Sequence, residues 1–126
     1  MMQKITPGEL SVGTDLIEVK RFENFDFESR LAANLFTKNE LEDCKKKHNI
    51  AASLAGRFAA KEAIKKCLEE NIPYNHIEIV TTATGKPIAQ LAKKQLQEKY
   101  RLEISFTHTK TFAQAICIAL INKNEK

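Results

Sequence analysis

The sequence has no tryptophan, and its three cysteines are scattered along the chain. None of them forms a Cys-x-x-Cys pair, so neither a zinc site nor a disulfide framework is indicated. We expect the thiols to be reduced, which is typical of a cytoplasmic protein. Gly-x-Gly-x-x-Gly and Walker-type loops are also absent, and with them the most widespread motifs for binding nucleotide phosphates.

Long apolar stretches are missing as well. Residues 1–10 are polar around Pro7 and Gly8, without the apolar core of a signal peptide. No segment has the length and apolar character needed to cross a membrane. We therefore expect no membrane partner.

Positive charge is present but mild, with a net charge of +4 and a pI near 9.0. Such a surface suits phosphate-bearing ligands or acidic partner proteins. It argues only weakly for nucleic acid, because most of the basic residues are lysine and the seven phenylalanines lie mainly in apolar runs. We expect no nucleic-acid partner.

The length of 126 residues, with 43% hydrophobic and 29% charged residues, predicts one globular domain over residues 1–126. Residues 122–126 are polar and are expected to form a frayed tail. The hydrophobic pattern predicts strands at Leu10–Val19, Ile77–Thr82, Leu102–Phe106 and Phe112–Ile121, and helices at Arg30–Phe36, Lys38 to about His48, about Asn49 to Glu70, and Ile88–Tyr100. This order is typical of an α+β domain, with an antiparallel sheet packed on one long helix and shorter helices.

The long helix carries charges where apolar side chains are expected. Helical spacing places Lys61 inside the apolar arc between Leu54 and Leu68, and Glu62 beside that arc, with Lys66 one turn further on. The plain interpretation is a surface Glu-to-Lys pair worth roughly a few tenths of a kcal/mol, with Lys61 reaching out to solvent. The functional one is a site above the small residues Ala55 and Ala59, which a ligand or another backbone can approach.

Asp15 is unusual because it stands inside an apolar strand, two residues after Gly13. Buried carboxylates are normally paired or bound to metal, although a solvent-facing strand residue is the simpler interpretation. One carboxylate from a strand and one from a helix would suit Mg²⁺, with substrate phosphates completing its shell. His108, at a predicted turn, is either a phosphate donor or an exposed loop residue.

Four motifs occur in the order and approximate spacing of holo-acyl-carrier-protein synthases, in the 4′-phosphopantetheinyl transferase superfamily. They are Gly-Thr-Asp-Leu-Ile-Glu-Val at 13–19, Leu-Ala-Gly-Arg-Phe-Ala-Ala-Lys-Glu-Ala at 54–63, Gly-Lys-Pro at 85–87, and Ser-Phe-Thr-His-Thr at 105–109. The second is highly specific, and the resemblance extends from about Leu10 to Ile121. It implies a small α+β subunit that assembles as a trimer, with active sites at subunit interfaces.

By position, the resemblance implies that Asp15 and Glu62 bind Mg²⁺ and act in catalysis together with Lys66. Arg21 and Arg30 match basic positions that face the acidic carrier protein. The coenzyme A site would be lined by Arg57, Lys61, Lys66, Gly85, Lys86, Pro87 and His108.

The implied activity is transfer of 4′-phosphopantetheine from coenzyme A to a serine of apo acyl carrier protein, with release of adenosine 3′,5′-bisphosphate, in fatty acid biosynthesis. The general base is left open between Glu62 and a metal-bound water. The chain departs from the family in an N-terminal extension, residues 1–9, and in residues 67–76, where the usual glycine-rich turn has no glycine.

Three other functions are weighed against this one. A small basic nucleic-acid-binding protein would show affinity that falls with salt. A related transferase of broader carrier specificity would normally resemble two fused copies of this domain. A carrier-binding relative without activity would be consistent with the missing glycine-rich turn.

Overall fold

The computed structural model describes residues 9–122. The predicted N-terminal extension and frayed tail lie outside the described residues, apart from residues 9 and 122. The elements in chain order are β1 (Leu10–Glu18), α1 (Arg30–Leu35), α2 (Lys38–Lys45), α3 (Ile50–Cys67), β2 (Ile77–Thr81), β3 (Pro87–Leu91), α4 (Lys94–Lys99), β4 (Tyr100–His108) and β5 (Phe112–Ile121). Short 3-10 turns lie at Val19–Phe22 and Tyr74–His76.

The main sheet has three antiparallel strands in the order β1-β5-β4, and β2 and β3 form a separate antiparallel hairpin. Alternate residues of β5 are buried beneath α3, and all of them are small: Ala113, Ala115, Cys117 and Ala119. This period of two is the pattern of a strand with one covered face. The predicted α+β fold, with an antiparallel sheet against one long helix, is confirmed.

Helix α3 lies unusually close to the sheet because glycine stands at two contact points. A Cβ at Gly13 would lie 2.2 Å from the carbonyl oxygen of Ala63, and a Cβ at Gly56 would lie 2.9 Å from the ring of Phe106. The close backbone approach expected at the strand glycine is therefore present.

The strip of small residues on α3 is already covered. Ala55 and Ala59 are both fully buried in the subunit's own core. The strip is therefore not open to a ligand, and the close backbone approach expected on this helix comes from the subunit's own sheet.

The helix ends follow their capping residues. Thr37 and Glu40 form the predicted capping box at the start of α2, and the Asn49 side chain accepts from the Ala52 amide at the start of α3. Helix α3 ends at Cys67, three residues before the predicted end. Within residues 9–122, every helix is too short or too polar to pass through a bilayer.

One predicted element is wrong. Residues Ile88 to Tyr100 were predicted as a single helix, whereas Pro87–Leu91 is a strand and the helix is confined to Lys94–Lys99. Ala89 and Leu91 are buried while Ile88 is exposed, which is the alternation of a strand. Gly85, at φ +88°, turns β2 into β3, so the segment pairs before a helix can begin.

Candidate active site

Strand β1 and helix α3 bring Asp15 and Lys66 together. The Lys66 ammonium donates to Asp15 Oδ1 at 3.1 Å and to the Thr14 carbonyl oxygen at 2.8 Å. The Asp15 side chain is only 17% exposed, and its buried Oδ2 makes no hydrogen bond to any residue that the structure describes. A buried acceptor without a donor is costly, so this oxygen is suited to an added ligand.

Glu62 lies one helical turn before Lys66 and is half-buried. Its Oε2 accepts a hydrogen bond of 3.0 Å from the hydroxyl of Tyr74. The surface pair that the plain interpretation expected between Glu62 and Lys66 is replaced by these two separate contacts. Burial raises the pKa of Tyr74, and the neighbouring charges of Glu62 and Asp15 raise it further, so the hydroxyl remains a donor.

The two carboxylates fit a magnesium ion that shares its shell with a substrate. Mg²⁺ is commonly held by one or two carboxylates, while phosphates and waters fill the remaining positions. Among residues 9–122 no group of three or more His, Cys, Asp or Glu side chains is placed to enclose a metal. The partnerless Oδ2 of Asp15 therefore fits an ion completed by phosphates rather than one caged by protein.

A second cluster surrounds a groove of about 410 Å³ that Arg57, Gly85, Pro87 and His108 help to line. The Arg57 side chain is 3% exposed, pairs with Asp43 and donates to Ser53 Oγ at 2.7 Å. Its Nε is buried and has no hydrogen-bond partner in the described part of the chain. A nearly buried guanidinium with a spare donor is well placed to bind an anionic ligand in the groove.

Lys86 and His108 are two exposed members of the predicted coenzyme site. Lys86 stands between Gly85 and Pro87 in sequence, and its ammonium lies 3.5 Å from the Glu103 carboxylate. His108 is the last residue of β4, and its Nδ1 lies 3.4 Å from the Thr109 carbonyl oxygen. Both side chains are therefore free to change partner when a ligand arrives.

The two clusters lie on different sides of the subunit. Asp15 on β1 and Phe106 on β4 both pair with Ala115 of the central strand β5, so β5 separates the two edges. On α3, Arg57 and Glu62 are five positions apart, which is a rotation of about 140° around the helix axis. The structure therefore places Asp15 and Lys66 in contact at one edge, with Glu62 one turn before Lys66 on α3, and Arg57 and His108 at the other edge. Asp15, Glu62 and Lys66 are called the acidic cluster below.

Lys61 does not belong to either cluster. Its side chain is 0% exposed, and its ammonium donates to Glu40 Oε1 at 2.6 Å and to the carbonyl oxygens of Leu35 and Tyr74 at 2.7 and 3.0 Å. Burial lowers the pKa of Lys61, against the opposing effect of Glu40. The expectation that it reaches solvent is wrong, and its three N–H donors leave none for coenzyme A.

Glu40 is the buried partner of Lys61, and the sequence did not predict this pair. Its two oxygens also accept from the Thr37 and Ile79 amides, so one buried carboxylate ties α2, α3 and β2 together. The sequence does contain a clue to this pair. A lysine within the apolar arc of α3 needs a buried acid as its partner, and Glu40 is the acidic residue of the capping box.

The loop after α3 is fastened by side chains, although it lacks the glycine-rich turn. Glu70 accepts from the Tyr100 hydroxyl at 2.7 Å and from the Lys99 ammonium at 2.6 Å. The bond from Lys99 lowers the pKa of Glu70, and the same bond raises the pKa of Lys99. Lys65 also donates to the Ile72 carbonyl oxygen, so both ends of the loop are anchored.

Arg21 and Arg30, the predicted carrier-facing residues, are both exposed. The guanidinium carbon of Arg21 lies 5.4 Å from the centre of the Phe58 ring. Its positive charge also acts on Tyr74, so Arg21 lies beside the acidic cluster. Arg30 opens α1, directly after the cap residue Ser29.

Comparison with known proteins identifies the family. The model of the 4′-phosphopantetheinyl transferase superfamily matches residues 11–119. The holo-[acyl-carrier-protein] synthase of Treponema denticola is 39% identical over 118 residues, covering 86% of this chain and 96% of the relative. That of Fusobacterium nucleatum is 31% identical over 120 residues, covering 88% of this chain and 98% of the relative.

A solved structure has the same fold. The crystal structure of a holo-(acyl-carrier-protein) synthase from Bacillus anthracis, in complex with coenzyme A (3′,5′-ADP), matches with a TM-score of 0.74 at 29% identity, covering 89% of this chain and 96% of that one. Fold, motif order and family match agree. The chain therefore belongs to the holo-[acyl-carrier-protein] synthases of the 4′-phosphopantetheinyl transferase superfamily.

Proposed function

We propose that this chain transfers 4′-phosphopantetheine from coenzyme A to a serine of an apo acyl carrier protein, with Mg²⁺ as cofactor. The observation that carries the proposal is the cluster of Asp15, Glu62 and Lys66, with one buried carboxylate oxygen left without a partner. Carriers loaded in this way would serve fatty acid biosynthesis. A cytoplasmic location agrees with the three buried cysteines, which are all free thiols.

The reaction is a substitution at phosphorus. The serine oxygen forms a bond to the coenzyme phosphorus that bears pantetheine, and the bond from that phosphorus to the bridging oxygen breaks. Adenosine 3′,5′-bisphosphate leaves, and the serine proton passes to a base. Catalysis of this kind depends mainly on positioning and on stabilising charge.

Each residue of the acidic cluster has a role that its contacts support. Asp15 and Glu62 would hold Mg²⁺, which when bound offsets negative charge on the pyrophosphate oxygens. Lys66 is 54% exposed and uses two of its three N–H donors, so one remains for the leaving bisphosphate. Glu62, or a water held in the same cluster, would take the serine proton.

The groove beside Arg57 would bind the adenosine bisphosphate end of coenzyme A. The charge of the Arg57 guanidinium would attract a phosphate, and His108 can add an exposed donor in the groove. Lys86, between the lining residues Gly85 and Pro87 in sequence, can add a second. Gly85 and Pro87 form the wall where β2 turns into β3. Lys61 is left out of this site because its ammonium is committed to Glu40.

We propose further that the protein is a homotrimer whose sites lie between copies. A cyclic head-to-tail assembly would set the acidic cluster of one copy against the groove of its neighbour. The outer face of the sheet supports burial against copies, because it exposes large apolar side chains on adjacent strands, among them Val12 at 65% and Ile118 at 42%. Exposed apolar patches of this kind are typical of interaction surfaces.

Two experiments test the proposal. The purified protein is incubated with coenzyme A and apo carrier protein, and adenosine 3′,5′-bisphosphate is measured by chromatography. Release of the bisphosphate is expected with Mg²⁺ and not with a chelator; equal release in the presence of the chelator would contradict the role of the metal.

The assembly is tested by mixing two inactive variants, Asp15→Ala and Arg57→Ala. Activity should return in the mixture only if one active site is formed by residues from two copies of the chain.

A further inference from the structure

Tyr74 is an aromatic residue that contacts Glu62 of the acidic cluster. It lies outside the four sequence motifs, and the family resemblance assigns no role to it. Its hydroxyl donates to Glu62 Oε2 at 3.0 Å. A carboxylate that binds a metal works best when its second oxygen is fixed by a hydrogen bond, because the bond sets its orientation. We propose that Tyr74 is a positioning residue that holds the Glu62 carboxylate in the orientation the metal site needs, an inference that rests on the proposed function.

The ring of Tyr74 is held by its surroundings before any ligand binds. Its centre lies 5.4 Å from that of Phe58, with the planes tilted by 34°. The Lys65 ammonium lies 4.7 Å from the centre of the Tyr74 ring, as in a cation–π contact. The hydroxyl therefore reaches Glu62 from a ring that is in contact with two residues of α3.

The backbone of Tyr74 is fixed as well. Its carbonyl oxygen accepts a hydrogen bond of 3.0 Å from the buried ammonium of Lys61, the residue next to Glu62. Pro73 precedes it, which restricts the chain at the entry to the 3-10 turn. Tyr74 is thus tied to α3 twice, by its carbonyl oxygen to Lys61 and by its hydroxyl to Glu62. Lys61 therefore also helps to place Tyr74.

The chain contains its own matched control. It has two tyrosines, and the second, Tyr100, also donates its hydroxyl to a glutamate, at 2.7 Å from Glu70 Oε1. Tyr74→Phe removes the hydrogen bond to the Glu62 carboxylate. Tyr100→Phe removes the bond to the Glu70 carboxylate and the one that the hydroxyl accepts from the Glu69 amide, and both variants keep the ring. Only the Tyr74–Glu62 bond involves a proposed metal ligand. Comparing the two variants therefore separates an effect on the metal site from the general effect of losing a tyrosine hydroxyl.

The experiment measures metal binding without turnover. Mn²⁺ serves as the probe, with coenzyme A present and no carrier protein, and free Mn²⁺ is followed by electron paramagnetic resonance. Tyr74→Phe should raise the Mn²⁺ dissociation constant roughly 10- to 100-fold, whereas Tyr100→Phe should leave it unchanged. Equal dissociation constants for Tyr74→Phe and the unaltered protein, or equal losses in the two variants, would overturn the inference.

A second comparison asks whether Tyr74 acts through Glu62. In a Glu62→Ala background, Tyr74→Phe should weaken Mn²⁺ binding no further, because the group it positions is gone; an added loss would show another role. If Glu62→Ala itself leaves Mn²⁺ binding unchanged, the proposed metal site fails. If Glu62→Ala weakens binding and Tyr74→Phe does not, only the inference fails. Failure of Tyr74→Phe to fold, judged by circular dichroism, would also overturn it, because the ring contacts are intact in that variant.

Discussion

The backbone of Gly13 meets the backbone of Ala63 so closely that a Cβ on the glycine would lie 2.2 Å from the alanine carbonyl oxygen. This contact sets the distance between β1 and α3. Asp15 follows two residues later on the strand and Lys66 three residues later on the helix, and their side chains meet at 3.1 Å. The packing of one glycine therefore places the proposed acidic cluster.

Gly13→Ala should damage both stability and activity. The new methyl group cannot fit without moving β1 away from α3, and overpacking of this kind costs about 1–3 kcal/mol. Moving β1 also separates Asp15 from Lys66. Urea unfolding and a carrier-loading assay measure the two effects, and Ser11→Ala, two residues earlier on the same strand, should change neither. Full activity in Gly13→Ala would show that the spacing is not needed.

Lys61→Met should destabilise the fold because it leaves Glu40 charged and buried without its partner. Breaking one side of a buried ion pair typically costs about 3–5 kcal/mol. Adding Glu40→Gln to the same variant removes the stranded charge and keeps one of the two acceptor oxygens, so part of the loss should return. Chemical denaturation measures both variants. Weaker coenzyme A binding with stability intact would instead restore Lys61 to the coenzyme site.

The sequence predicts the parts of this fold that rest on local patterns. The strands at Leu10 and Phe112, the capping box at Thr37 and the long helix all appear within a few residues of their predicted bounds. The helix predicted from Ile88 is wrong because the apolar residues of this segment fit both a helix and a short strand. The turn at Gly85 pairs the segment with β2, so it forms a strand.

The site could be predicted only where single residues carry the chemistry. Asp15 and Glu62 lie in motifs, and the structure brings Asp15 to Lys66, whereas the shared metal site of Asp15 and Glu62 stays a prediction. Tyr74 could not be found, since it lies twelve positions after Glu62, beyond the end of α3, and no periodic pattern links the two residues. Lys61 lies in the most specific motif, yet its partner Glu40 lies on a different helix, α2. The motif alone therefore cannot tell whether the lysine has a structural role or binds a ligand.

The pair of Glu70 and Lys99 predicts a pH dependence of stability. The pKa of Glu70 is lowered from 4.5 in the folded protein and that of Lys99 is raised from 10.5. The stabilisation is therefore present above about pH 4.5 and is lost as the pH falls through the lowered pKa of Glu70; on the alkaline side it is lost as the pH rises through the raised pKa of Lys99. Glu70→Gln should lower the free energy of unfolding at pH 7 and have a smaller effect at pH 3. Equal effects at both pH values would contradict this account of the loop.

Charge reversal at Arg21 or Arg30 should weaken use of the acidic carrier protein. Both side chains are exposed, and attraction between exposed charges speeds encounter but is screened beyond about 8 Å at physiological salt. Arg30→Glu should therefore raise the apparent KM for the carrier and leave coenzyme A binding nearly unchanged. Lys94→Glu, an exposed charge on α4, is the matched control. Weakened coenzyme binding with carrier KM intact would place these arginines in the nucleotide site.

The central claim is that Asp15 and Glu62 form the site that transfers phosphopantetheine to a carrier serine. The most direct measurement is the mass of an apo acyl carrier protein after incubation with the purified chain, coenzyme A and Mg²⁺. The unaltered protein should increase the carrier mass by one phosphopantetheine, while Asp15→Ala and Glu62→Ala should fold normally and leave the mass unchanged. An unchanged carrier mass with the unaltered protein, or full loading by either variant, would contradict the account.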